Sequence, residues 1–161
     1  MATLNRISDQ PLNSFSLNPD HRFVVLVAEW NTSVTHALRD GCVQTLRNAG
    51  VAQDHIRVVS VPGSFELSSA AAAFAARPDT DAVICLGCVI QGETRHFDFI
   101  CQAVADGLTE VGIRYLKPTI FGVLTTNTLA QAEERAGGKL GNKGSEAAEA
   151  ALQMLHILNI G

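Results

Sequence analysis

Apolar residues along this chain change their period in a repeating order. Runs of strand length lie at Phe23–Ala28, Ile56–Val61, Ala82–Ile90 and Pro118–Thr125. After each run the spacing becomes helical. Val34, Leu38, Cys42, Leu46 and Ala49 form the first helical stripe, with Thr32 or Ser33 placed to cap it and Gly50 to end it. Pro62-Gly63 breaks the second strand, and an alanine-rich helix is expected from near Phe65 until Arg77-Pro78-Asp79. The polar turn Gln91–His96 follows the third strand. Beyond it Phe97, Ile100, Cys101, Val104, Ala105, Leu108 and Val111 mark a long helix. Thr128-x-x-Gln131 fits a capping box for a short helix ended by Gly137-Gly138. The last helix is expected from about Gly144 to Leu158, with Ala148, Ala151, Leu152 and Leu155 on one face. Four strand–helix units plus one further helix predict an α/β layer fold with a parallel sheet and right-handed crossovers. The unbroken first run predicts a strand buried on both faces. Residues 1–20 are polar and irregular and read as an N-terminal arm, leaving residues 21–161 as a single domain.

Composition narrows the function classes. The 161 residues are 47% hydrophobic, which suits a globular core. Net charge is −4 and no basic run occurs, so a nucleic-acid partner is not expected. The apolar runs are too short for a membrane span, and the N-terminus does not read as a secretion signal. A cytoplasmic enzyme is the expectation. Four cysteines are present, Cys42, Cys85, Cys88 and Cys101. Cys85 and Cys88 form a C-x-x-C inside a predicted strand, where their side chains point to opposite faces. Buried free thiols are therefore expected in preference to a zinc site. The dinucleotide fingerprint G-x-G-x-x-G is absent, and Gly141–Ser145 lacks the phosphate-loop spacing.

In open parallel sheets ligands bind beyond the carboxyl ends of the strands. Trp30-Asn31, Pro62–Glu66, Cys88–His96 and Thr125–Asn127 all belong there. Trp30 reads either as core or as a platform for a flat heteroaromatic ring. Glu66 reads as a helix-start carboxylate or as an acceptor for polyol hydroxyls. Gly92, Glu93 and Thr94 offer backbone N–H groups to an anion at a helix start. Arg135 is either a helix-end charge or a bidentate phosphate ligand. Lys143 is solvated unless the glycine loop turns it inward. His96 is either a surface helix-start residue or a proton-transfer group.

Taken together, five motifs in register carry a family resemblance. They are Val61-Pro62-Gly63-Ser64-Phe65-Glu66-Leu67, Gly87–Asp98, Phe121-Gly122-Val123-Leu124-Thr125, Glu134-Arg135-Ala136-Gly137 and Gly141-Asn142-Lys143-Gly144. From about Phe23 onward the chain closely resembles the 6,7-dimethyl-8-ribityllumazine synthases, transferases of riboflavin biosynthesis. The resemblance implies a flavodoxin-like three-layer sandwich, with a four-stranded parallel sheet and helices on both faces. It implies condensation of 5-amino-6-(D-ribitylamino)uracil with 3,4-dihydroxy-2-butanone 4-phosphate, without metal or organic cofactor. It further implies a homopentamer with active sites between subunits, or a decamer or 60-subunit icosahedral capsid, with riboflavin synthase as a candidate partner. The uracil and ribityl positions fall on Trp30, Ser64, Phe65, Glu66, Cys88, Val89, Ile90 and Phe121, the last reaching in from a neighbour. Glu93, Thr94 and Arg135 match the phosphate positions, with Lys143 as a further candidate, and His96 matches the proton-transfer residue. From periodicity alone Phe121 reads as core. Two positions depart from the family pattern. Trp30 stands where many members carry Phe, which keeps a stacking ring. Glu93 stands where a small residue is common, and like charge disfavours its carboxylate beside a phosphate. Its backbone is therefore the part expected to face the anion. The competing readings are a non-catalytic lumazine-binding or capsid-forming relative and an archaeal-type riboflavin synthase.

Overall fold

The computed structural model describes residues 18–159; most of the predicted N-terminal arm lies outside that range. The elements are β1 (Phe23–Ala28), α1 (Thr32–Asn48), β2 (Ile56–Val61), α2 (Leu67–Ala75), β3 (Ala82–Ile90), α3 (His96–Tyr115), β4 (Thr119–Thr126), α4 (Leu129–Glu133), β5 (Ala136–Gly138), β6 (Gly141–Asn142) and α5 (Lys143–Leu158). β1 to β4 form one sheet in the order β2-β1-β3-β4, and every pairing is parallel.

β1 lies between β2 and β3, and all six of its residues are buried. Val25 and Val27 pack with Val34, Leu38 and Leu46 of α1 and Ala148, Ala151 and Leu152 of α5. Val24, Leu26 and Ala28 pack with Leu67 and Ala71 of α2 and Val104 and Leu108 of α3. The continuous apolar run thus has its cause: two helical layers, one on each face. β2 has a neighbour on one side only and alternates less cleanly, with Arg57 and Val58 exposed. Cys85 and Cys88 belong to opposite core clusters, as the strand period requires.

The structure corrects several local expectations. Asn31, not Thr32 or Ser33, precedes α1, and it makes no side-chain cap bond. Its backbone is left-handed (φ 61°, ψ 51°), a conformation that Asn tolerates better than most residues. Its carbonyl accepts from the N–H groups of Val34 (2.9 Å) and Thr35 (3.0 Å). Its Nδ2 donates to the Cys88 carbonyl (3.1 Å), tying the end of β1 to the end of β3. α2 begins at Leu67, two residues later than the apolar pattern suggests. α4 has only five residues, so Arg135 lies beyond it, and Gly137-Gly138 belong to the antiparallel β5/β6 hairpin and do not end the helix. The capping box is half formed: Thr128 Oγ1 accepts from Gln131 N, while Gln131 Oε1 reaches Asn127 N and not Thr128 N. On α3 only Val104, Leu108 and Val111 of the predicted stripe are fully buried; Phe97, Ile100, Cys101 and Ala105 are half-buried.

All four thiols are free. Burial pushes Cys42 up to about 12 and Cys88 up to about 11, and it raises Cys85 further still. A disulfide-exchange reagent at pH 8 should therefore modify at most one thiol per folded chain, Cys101, with the rest reacting only in denaturant. Asn31→Ala should lose about 2 kcal/mol, roughly half from the left-handed backbone and half from the Cys88 bond. Asn31→Gly should lose only the bond, about 1 kcal/mol. Denaturant unfolding at matched protein concentration measures both, and equal losses would assign no cost to the backbone conformation.

Candidate active site

Three loops meet at the carboxyl rim of the sheet. Trp30 leaves β1 with its side chain 72% exposed, which removes the core reading and leaves the indole free to stack on a ligand. Beneath it is Gly63, just after β2. A Cβ at position 63 would lie 3.0 Å from Trp30 Cδ1 and 3.1 Å from Glu66 Oε2. The indole and the carboxylate therefore converge over a glycine that leaves them room. Glu66 makes no side-chain cap bond at the start of α2, and its carboxylate has no hydrogen-bond partner among the described residues. It is available as an acceptor for hydroxyl groups. Ser64 is buried with its hydroxyl unpartnered, and Phe65 is more than half exposed. Just before Trp30, Glu29 is held below the usual carboxylate range, chiefly by a hydrogen bond from Ser60 and also by His36, whose Nε2 is 3.5 Å away. Negative charge on β1's exit is thus fixed close to the indole.

The β3 exit supplies a different chemistry. Cys88 is buried, Val89 and Ile90 are half-buried, and Gln91 N donates to Thr126 O (2.8 Å), joining this exit to that of β4. From Gln91 to His96 every residue is exposed. The backbone N–H groups of Gly92, Glu93 and Thr94 have no acceptor among the described residues. They stand at the entrance of the 20-residue helix α3, where N–H groups and the helix dipole favour negative charge. His96 is the first residue of that helix. Its N–H donates a long bond to Thr94 Oγ1 (3.4 Å), and its imidazole has no partner among the described residues.

Arg135 and Lys143 sit together elsewhere on the rim. They line an open cavity of about 270 Å³ with Val123–Thr126 and Gln131. Arg135 Nη1 donates to the Gln131 carbonyl (2.8 Å), so the helix-end reading is partly right; the rest of the guanidinium is left for another acceptor. Lys143 pairs with Glu146 and faces the same cavity, so it is not a freely solvated side chain. No residue of the Gly92–His96 turn lines that cavity. A larger cavity of about 380 Å³ lies at the opposite end of the sheet, against Arg22, His55 and Arg57, and holds none of the candidate residues.

Within one chain the structure therefore brings Trp30 and Glu66 together over Gly63 and Arg135 together with Lys143. Phe121 joins neither group. It pairs in register with Cys85, below the rim, and is 40% exposed, which corrects its reading as core. Asn31 and Gly63 are the residues that sequence reasoning passed over. The signal for Asn31 is an Asn between a strand end and a helix start, where left-handed backbone is common. Among the described residues no three His, Cys, Asp or Glu side chains are grouped to hold a metal ion, and no helix is long and apolar enough to cross a membrane.

Comparison with known proteins bears on the whole domain. Residues 20–159 match the family model for 6,7-dimethyl-8-ribityllumazine synthase. The chain is 50% identical to the 6,7-dimethyl-8-ribityllumazine synthase of Porphyromonas gingivalis, over 99% of this chain and 100% of the relative. It is 57% identical to the protein of the same name from Cytophaga hutchinsonii, over 83% and 84%. It is 46% identical to that of Salinibacter ruber, over 86% and 88%. With a fold that has the expected four-stranded parallel sheet between two helical layers, and with matches of this extent, the chain belongs to the 6,7-dimethyl-8-ribityllumazine synthase family.

Proposed function

We propose that this protein condenses 5-amino-6-(D-ribitylamino)uracil with 3,4-dihydroxy-2-butanone 4-phosphate in the penultimate step of riboflavin biosynthesis. The 5-amino group attacks the ketone, and water leaves as the imine forms. Loss of a proton from carbon and departure of inorganic phosphate follow. The ribityl-bearing nitrogen then closes the ring, with loss of a second water. Trp30 stacks on the pyrimidine. Glu66 accepts from ribityl hydroxyls, with Ser64 and Phe65 beside it. The β3 segment Cys88–Ile90 presents backbone groups to the uracil edge. Glu93 and Thr94 give N–H groups to the phosphate, and Arg135 adds charge-assisted bonds. His96 moves the protons. The observation that carries this reading is the β3–α3 turn: three N–H groups and an imidazole without partners among the described residues, at the head of a long helix, in a member of this family.

The chemistry asks for little beyond placement. Holding two reactants in register can contribute about 7–11 kcal/mol, and a histidine acting near neutral pH about 10²–10⁴-fold. Both reactants carry their own reactive groups. The protein supplies a stacking floor, an anion seat and a proton carrier.

The site is proposed to be shared between subunits of a homopentamer, alone or within a decamer or a 60-subunit capsid. Arg135 and Phe121 lie apart from the Trp30 group in one chain, which supports their donation to a neighbour's half-site. Phe99 on α3 is 68% exposed, an apolar ring that a subunit contact would cover. A cytoplasmic setting suits the four free thiols, and riboflavin synthase, the consumer of the product, is the proposed partner.

Mixing the two substrates with the protein should produce lumazine absorbance. Lumazine binding without formation would move the chain to the non-catalytic reading. His96→Ala should lower kcat about 10²-fold yet leave a rate above the spontaneous reaction. Loss down to the spontaneous rate in a folded assembly would mean that placement contributes less than argued. Arg135→Ala should raise KM for the phosphorylated ketone far more than for the uracil, and equal changes would remove Arg135 from the phosphate seat.

A further inference from the structure

The cavity at the end of β4 is walled by two cations. Arg135 lies two residues past the end of α4, and Lys143 opens α5. The β5/β6 hairpin joins them, and Lys143 N donates to the Arg135 carbonyl at 2.8 Å, so their backbones move together. Ala136 packs this hairpin against the core, and the side chain of Asn142 ties it by hydrogen bonds to both α5 and α1. Its Oδ1 accepts from Gly144 N (2.8 Å) and Ser145 N (3.2 Å), capping α5. Its Nδ2 donates to the carbonyl of Ala37 in α1 (3.0 Å), 105 residues away in sequence. The carboxamide lies flat on Gly41 of α1. A Cβ there would come within 2.6 Å of its Cγ and Nδ2 and 2.7 Å of its Oδ1. One turn away, a Cβ on Gly144 would overlap the Leu38 carbonyl. α1 therefore carries a notch, made by a missing side chain and a helix carbonyl that takes a second donor, into which the carboxamide fits.

The chemistry of the notch demands Asn. A cap of α5 alone is equally served by Ser, Thr or Asp. A donor to Ala37 excludes Asp, and the reach excludes Ser. Only a residue with an acceptor and a donor on one short planar group meets both sides.

We propose that Asn142, seated on Gly41, is a positioning residue that sets the Arg135–Lys143 pair for the phosphate of the ketone substrate. The inference rests on the proposed phosphate role of Arg135. Asn142 touches no substrate; it acts by fixing the hairpin whose two ends carry the cations. Loosening it should weaken anion binding while leaving the Trp30–Glu66 half-site, which stands on other loops, unaffected.

Steady-state kinetics of the assembled enzyme test this with inorganic phosphate as the inhibitor probe. Asn142→Ser keeps a helix cap and adds no charge but gives up the Ala37 bond. It should raise both KM for the phosphorylated ketone and Ki for inorganic phosphate about tenfold, with KM for the uracil changed less than about twofold. Gly41→Ala places a methyl under the carboxamide and should give the same split, although Ala suits a helix better than Gly. In the Asn142→Ser background Gly41→Ala should add little, because the group it collides with is gone. Unchanged Ki in the folded single variants, equal rises in both KM values, or additive effects in the double variant would overturn the inference. Should Asn142→Ser fail to assemble, Gly41→Ala carries the test alone. Arg135→Ala separates the two levels. If it raises Ki and the Asn142 and Gly41 variants do not, only the positioning role falls. If Arg135→Ala leaves Ki unchanged, the phosphate seat falls and the positioning role with it.

Discussion

Burial of β1 and β3 on both faces is the constraint from which the rest of the structure follows. A strand covered on two sides can show polar groups only at its ends. Parallel pairing sends every carboxyl end the same way, so the exits of β1, β2, β3 and β4 share one rim. The helices that return the chain occupy the two faces and leave that rim open. The candidate residues gather at that rim because both faces of the sheet are covered. The bonds that cross the rim, Glu29 to Val61, Asn31 to Cys88 and Gln91 to Thr126, link the four exits into one surface.

Two kinds of recognition divide this surface. Around Gly63 an aromatic ring and a carboxylate crowd together, a combination suited to a flat heterocycle bearing hydroxyls. At the β3–α3 turn and in the Arg135–Lys143 cavity the groups on offer are N–H donors and cations, suited to an anion. A condensation between a polyol-bearing uracil and a phosphorylated ketone needs both, side by side. No residue of the Gly92–His96 turn lines the Arg135 cavity in one chain, which supports the proposal that a neighbouring subunit completes the site.

Much of this was legible in the sequence, and the reasons are specific. Strands β1 and β3 declare themselves because double-sided burial forbids polar residues inside them. α1 and α5 are legible from their stripes, and Trp30 and Glu66 from their place after a strand. What sequence left hidden depends on contacts between distant segments. Asn142 looks like part of a glycine loop until Gly41, a hundred residues earlier, is seen beneath it. Arg135 looks like the end of a helix because five residues of α4 are too few to show where the helix stops. Phe121 alternates like a core residue, yet no helix of the same chain covers it fully, since exposure at an edge strand depends on what packs beyond the edge. The cap of α1 is expected on Thr32 or Ser33 because a hydroxyl beside the apolar stripe is the usual signal, whereas the helix already includes both and starts after a left-handed Asn31.

The chain contains one tryptophan, and it is Trp30. In most domains of this size such a residue is packed inside, and its emission reports on unfolding. Here the indole stands in water at the carboxyl rim, with the carboxylate of Glu66 over the same glycine. Trp30 belongs to neither of the two core clusters, so its emission does not report directly on their packing. A ligand laid on its face would quench or shift it directly. Under the proposed site assignment Trp30 is, without labelling, an optical probe of occupancy at the stacking half alone.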